Sequence, residues 1–116
     1  MFWKVSGLKI PEIGAADDFD ALFEGDLAIV FKHSSTCAIS WTAHGEVSEF
    51  LERQPQAPVY LVPVRERREI SRHVAERSGV EHASPQILVI RRGRVVADAS
   101  HEAITAEFLA EAVRAS

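Results

Sequence analysis

"LAIVFKHSSTCAISW", residues 27–41, sets a nearly continuous β-branched run against a loop of hydroxyl side chains and then the opening of a helix. Residues 27–33 carry the pattern of a strand covered on both faces, and so of a central strand. From Cys37 a helix can run to about Arg53, because Ile39, Ala43, Val47, Phe50 and Leu51 fall at three- and four-residue spacings on one side. Pro55 ends it. The loop between strand and helix holds the one cysteine of a 116-residue chain.

Working outward, Asp17 or Asp18 can cap a short helix through "DFDALFEG", with Phe19, Leu22 and Phe23 on one face and Gly25 as its stop. Downstream, "PVYLVPV" (58–64) reads as a second buried strand, and "RREISRHVAERSG" (67–79) as a helix with Ile70 and Val74 inward and Gly79 as its terminator. The pattern then changes. "QILVI" and "VVADA" flank "RRGR", where Gly93 suits a tight antiparallel turn, and Thr105 can cap a last helix through "AEFLAEAVRA". A βαβ unit followed by ββα, without repeat, low-complexity segment or linker, predicts one α/β domain over residues 1–116. It has a mixed central sheet with helices on both faces, in the order of a thioredoxin-like fold.

Composition narrows the function. An apolar fraction of 47% is ordinary for a globular fold with a real core. One cysteine closes no intramolecular disulfide, which favours a reducing cytoplasm and a free thiol. The segment "MFWKVSGLKIPEIG" lacks the apolar run and cleavage site of a signal peptide, and no stretch approaches membrane-spanning length, so a cytoplasmic protein without membrane partners is expected. A net charge of -4 and a pI near 5.7 leave no basic excess for phosphates. The basic cluster "RERREISR" (65–72) is interleaved with acids, which argues against nucleic acid as a partner.

In such a sheet the loop after a central strand is where ligands meet strand ends and helix amides. Cys37 sits there, and unpaired N–H groups with the positive end of the helix dipole favour thiolate, the nucleophilic form. A lone cysteine can equally be a small buried hydrophobe. Against that, Ser34, Ser35, Thr36 and Ser40 suit a solvated loop and cap better than a core. A second feature is Pro85, directly before an apolar strand. Proline is tolerated at a strand's first residue but also locks cis bonds in tight turns, and in a thioredoxin fold this loop faces the cysteine. Ser84 would then present its backbone to whatever docks on Cys37.

His33 and His44 flank the cysteine without a recognised zinc spacing and with no second cysteine, so both read as polar residues rather than metal ligands. His73, His82 and His101 read as surface residues. "CAISWTAHG" has no arginine shortly after the cysteine, which rules out a phosphatase-type oxyanion loop. Nothing points to the partnered histidine and cleft of a cysteine protease.

"FKHSSTCAIS", "VYLVPVRERREIS" and "VAERSGVEHASPQILVIRRGRVVADASHEAIT" together resemble the YtxJ-type monothiol bacilliredoxins, a thioredoxin-fold family, over roughly residues 27–105. The resemblance implies an active Cys37 in a Cys-X-X-Ser motif, with Ser35, Thr36, Ala38, Ile39 and Ser40 supporting it. Ser40 stands where dithiol relatives carry a resolving cysteine, and Pro85 is a cis-proline after Ser84. It further implies removal of bacillithiol from mixed disulfides on cytosolic proteins, with bacillithiol as thiol substrate and no bound cofactor. Family members commonly show Thr-Cys-Pro-Ile-Ser; Ala38 replaces that proline here, predicting a less rigid loop and a differently tuned thiolate.

Bare thiol chemistry leads to the same mechanism: with no neighbouring cysteine, a mixed disulfide on Cys37 waits for an external thiol. Two other functions compete. An iron–sulfur carrier of the monothiol glutaredoxin kind would use a Cys-Gly-Phe-Ser loop, which "CAIS" departs from at Ala38 and Ile39; a redox-silent adaptor would leave the thiol incidental. For a bacillithiol-bearing partner, the expected docking surface combines amides beside Ser84 and Pro85, hydroxyls from Ser34 to Thr36, and a cation such as Lys32 or His33.

Overall fold

The computed structural model describes residues 10–115, so the amino-terminal reading lies outside it for residues 1–9. Strand β1 (Leu27–His33) lies inside a four-stranded sheet ordered β2–β1–β3–β4. β2 (Val59–Pro63) runs parallel to it, β3 (Gln86–Arg91) antiparallel, and β4 (Arg94–Ser100) antiparallel to β3. Two strand partners and helices on both faces explain the apolar run: every residue from Ala28 to His33 is buried. Side chains alternate. Ile29 and Phe31 enter a core with Val47 and Phe50 of α2 (Ala38–Arg53) and Leu109 of α4 (Ala106–Arg114). Val30 enters the opposite core with Phe19 of α1 (Ala16–Ala21) and Ile70 and Val74 of α3 (Arg68–Ser78). This is the mixed α/β, thioredoxin-like arrangement that the element order predicts.

The punctuation works as its chemistry demands. Gly79 ends α3 at φ 76°, and Arg92 and Gly93, at φ 53° and 82°, form the two-residue turn between β3 and β4. The Thr105 hydroxyl accepts from the Phe108 amide at 3.0 Å, and the Glu46 carboxylate reaches across from α2 to accept from the Ala106 amide at 2.8 Å.

Several local expectations are corrected. Ala15, not Asp17 or Asp18, is the N-cap of α1; both aspartates lie in its first turn, where their charge still complements the helix dipole. β2 is only half covered, with Val59 and Val62 buried. Its outer edge is met by residues 11–13, where Ile13 N donates to Leu61 O at 2.9 Å and Leu61 N to Pro11 O at 2.7 Å. On α2, Ile39 is 40% exposed and Ser40 is fully buried, because the inward row starts one residue later than expected and runs Ser40, Ala43, Val47, Phe50. His73 is half-buried rather than free on the surface: it shares Asp20 Oδ1 with Arg77, each at 2.8 Å, which ties α3 to α1. No described helix is long and apolar enough to cross a membrane.

Candidate functional site

The loop leaving β1 is pinned along its length. Cys37 N donates to Ser34 O at 3.3 Å, and Ser34 N donates to the buried Ser40 hydroxyl at 3.2 Å. The Ser34 and Thr36 hydroxyls pair at 3.2 Å. Two further contacts hold its sides, one local and one long-range: Trp41 Nε1 donates to Ser35 O at 2.8 Å, and Arg65 donates from the β2–α3 connection to Thr36 Oγ1 at 2.9 Å. Cys37 closes the loop as the N-cap of α2, half-buried, with extended backbone at φ -115° and ψ 125°.

That position sets the thiol chemistry. The Ser40 main-chain N–H, then that of Ile39, pushes the Cys37 thiol below its ordinary value; partial loss of water pulls the other way, and the Ser40 hydroxyl adds to the lowering. Because Ser40 spends an oxygen lone pair on the Ser34 amide, its own proton is available to the sulfur. One buried hydroxyl thus both shapes the loop and stabilises the thiolate.

Across the sheet, the Ser84–Pro85 peptide bond is cis, Pro85 is buried, and its carbonyl accepts from His101 N at 3.1 Å. The β1–β3 ladder ends with Lys32 opposite Gln86, so Pro85 stands one residue further along, beside the strand end from which the cysteine loop departs. The sequence-predicted loop residues and Ser84–Pro85 therefore converge on one end of the sheet. The Ser84 hydroxyl is buried and has no hydrogen-bond partner among the described residues.

A sequence profile described as monothiol bacilliredoxin BrxC matches residues 10–109. This chain belongs to the monothiol bacilliredoxin family. The match extends beyond residues 27–105 on both sides. Among solved structures, a candidate oxidoreductase with a thioredoxin fold is similar at 28% identity and TM-score 0.86, over 97% of this chain and 99% of that one. Thioredoxins from Trypanosoma brucei brucei (TM-score 0.72, 11% identity, 98% of this chain and 96% of that one) and Fasciola hepatica (TM-score 0.70, 20% identity, 90% and 97%) share the fold. The bacilliredoxin is a thiol–disulfide oxidoreductase.

Within it, the two cations expected on one docking surface part company. Lys32 is fully buried, with its ammonium unpartnered among the described residues, on the face covered by α3; lack of water pushes its pKa down to about 8. His33, only 5% exposed, points to the α2 face instead. Its ring lies 4.6 Å from that of Trp41, edge to face, and 5.2 Å from that of His44. Burial, then the charge of His44, lowers the His33 pKa, partly offset by the Ser40 main chain and Glu66. His44 is lowered by burial too. Both rings are thereby held toward the neutral form. Among the described residues no third ligand joins them in a metal-binding group.

Trp41, His44 and Arg65 were not singled out for the site from sequence. Trp41, 51% exposed, stands one turn along α2 from Cys37, a spacing that could have flagged it. Arg65 meets Thr36 across 29 positions of chain, and nothing local announces that contact.

Proposed function

We propose that this bacilliredoxin removes bacillithiol from protein mixed disulfides, with Cys37 as nucleophile. The carrying observation is the half-buried Cys37 at the α2 N-cap, its thiol lowered by the Ser40 and Ile39 amides in a chain with no second cysteine. The Cys37 thiolate attacks the bacillithiol sulfur and the protein sulfur leaves as thiolate, taking a proton from water. The bond broken is the mixed disulfide; the bond formed joins bacillithiol to Cys37. Ser40, standing one residue short of a full turn away, offers a hydroxyl where a dithiol enzyme would offer a resolving sulfur, so a second thiol in solution must release the adduct. In this reading the main chain beside Ser84 and Pro85, with the hydroxyls from Ser34 to Thr36, receives the small thiol.

The test offers one protein carrying either a bacillithiol or a glutathione adduct and follows release by wild type and Cys37→Ser. Faster release of bacillithiol by wild type, and a loss of roughly a thousandfold or more in the serine variant, are expected. Equal or faster removal of glutathione would replace the assignment with a general monothiol reductase.

A further inference from the structure

On the α3 side of the sheet, a groove of about 510 Å³ runs beside the connection from β2 to α3, between Arg65, Arg68, Arg72 and His82. Arg68 and Arg72 are one turn apart on α3, so both fall on the helix face that lines the groove. Among the described residues no carboxylate lines this groove, and none of the three arginines is paired with one. Glu69 and Glu76 lie on the same helix but do not line it.

Two further observations distinguish the groove from an ordinary basic patch. Lys32, fully enclosed and without a partner for its ammonium among the described residues, lies close enough to His82 that its charge helps hold that imidazole neutral, second to burial. An uncompensated buried cation is costly unless an anion approaches it. In addition, Arg65 donates to Thr36, the residue before Cys37, so one guanidinium of the groove is attached to the cysteine's own loop.

We propose that this groove seats the two carboxylates of bacillithiol's malate group while its sulfur is exchanged at Cys37. The inference rests on the reading of bacillithiol as substrate and replaces the expected Lys32–His33 surface with arginines. Guanidinium forks match carboxylates in a bidentate way that an ammonium does not. The site also offers a basis for discrimination. Malate presents two carboxylates on one four-carbon unit, whereas the two carboxylates of glutathione stand at opposite ends of the tripeptide and one sits beside an ammonium. Clustered arginines favour the first arrangement.

The experiment compares kcat/KM for release of bacillithiol with that for cysteinyl-glucosamine, the same thiol without malate, from one carrier protein. Wild type should prefer the malate-bearing adduct, and Arg68→Ala/Arg72→Ala should reduce that preference roughly ten- to hundredfold, mainly through KM. Arg68→Lys/Arg72→Lys keeps the charges without the forks and should fall between. Both arginines are exposed, so folding should survive; should the double alanine variant unfold, the single Arg→Gln variants decide by the same ratio. A wild type that favours bacillithiol over glutathione but ignores the malate group overturns this inference alone, as does a double variant that keeps the preference. An arginine effect that follows acidic residues on the carrier protein, whichever thiol is attached, overturns it in favour of client docking. A wild type with no preference for bacillithiol over glutathione defeats the substrate reading itself.

Discussion

Two grooves flank the end of β1 that leads to Cys37, one on each face of the sheet, and their linings differ. The one on the α2 side, about 540 Å³, is walled by the rings of His33, Trp41 and His44, touches Ser35 and carries Glu12, Glu66 and Arg67 at its margin; the one on the α3 side is walled by Arg65, Arg68, Arg72 and His82. Both chemistries issue from adjacent residues of β1. A strand sends successive side chains to opposite faces, so Lys32 and His33 cannot serve one surface. The difference teaches that a strand end can supply a single cysteine with an aromatic side of mixed charge and with a side whose charged groups are cationic, suited to a small anion.

The largest effects should come from exchanging residues on either side of this divide. Phe31, fully buried beneath the His33 and His44 rings, supports the aromatic side, and Phe31→Ala should cost about 3–5 kcal/mol in chemical denaturation. Its neighbour should behave in the opposite sense. Lys32→Met removes an unpartnered buried ammonium and should raise stability at neutral pH by about 1–2 kcal/mol, less than the full shift implies because neighbouring polar groups and water relax around a charge. The gain should fade with alkali: between about 8 and the ordinary lysine value of about 10.4 the unfolded chain holds a proton that the folded chain has released, so wild-type stability rises there and the variant's does not. A gain that stays constant to pH 11 would mean that Lys32 is not the group titrating.

A smaller effect, in the opposite pH range, tests the aromatic side. The His33 pKa is lowered in the fold, so below the ordinary value of about 6.5 the unfolded chain takes up a proton sooner. Wild-type stability should therefore climb with pH toward about 6.5 and level off above it. His33→Phe should flatten that climb, with His44 carrying what remains. Melting temperatures from pH 4.5 to 8 measure it. An unchanged slope would place the acid sensitivity outside this cluster.

How much of this was legible beforehand follows the range of the interactions. β1, α2, α3, the Gly93 hairpin and the Thr105 cap are written in local periodicity and capping chemistry, and Cys37 was legible because a lone thiol between a buried strand and a helix has few other reasons to be flanked by hydroxyls. The two-sided site was not read, although the rule for it was at hand: alternation along residues 27–33, applied to the last two, separates Lys32 from His33. The Arg65–Thr36 contact and the pairing of residues 11–13 with β2 depend on tertiary register, which no window of sequence contains. Ile39 was placed inward because both it and Ser40 fit a three- or four-residue spacing to Ala43; the hydroxyl won the buried place because the Ser34 amide needed an acceptor there.

The smallest effects lie at the cysteine between the two grooves. The amides that lower the Cys37 thiol belong to Ser40 and Ile39, not to Ala38, so the family's proline can return at position 38 without removing either. That position is the first of α2, where a missing N–H is harmless and a fixed φ suits the helix. Ala38→Pro should therefore stabilise the protein by about 0.4–1 kcal/mol, chiefly by restricting the unfolded chain. The thiolate midpoint, followed by absorbance near 240 nm, should move less than in Ser40→Ala, which loses both the hydroxyl donor and the acceptor for Ser34 N and should raise the midpoint. Because a thiolate favoured by the fold adds stability above its folded pKa, lost as pH falls through it, reduced wild type should also gain on Cys37→Ser as pH rises toward the ordinary thiol value. A larger shift from Ala38→Pro than from Ser40→Ala would mean that loop rigidity, rather than donated hydrogen bonds, governs the thiol, and the cysteine would then be tuned by the turn that carries it.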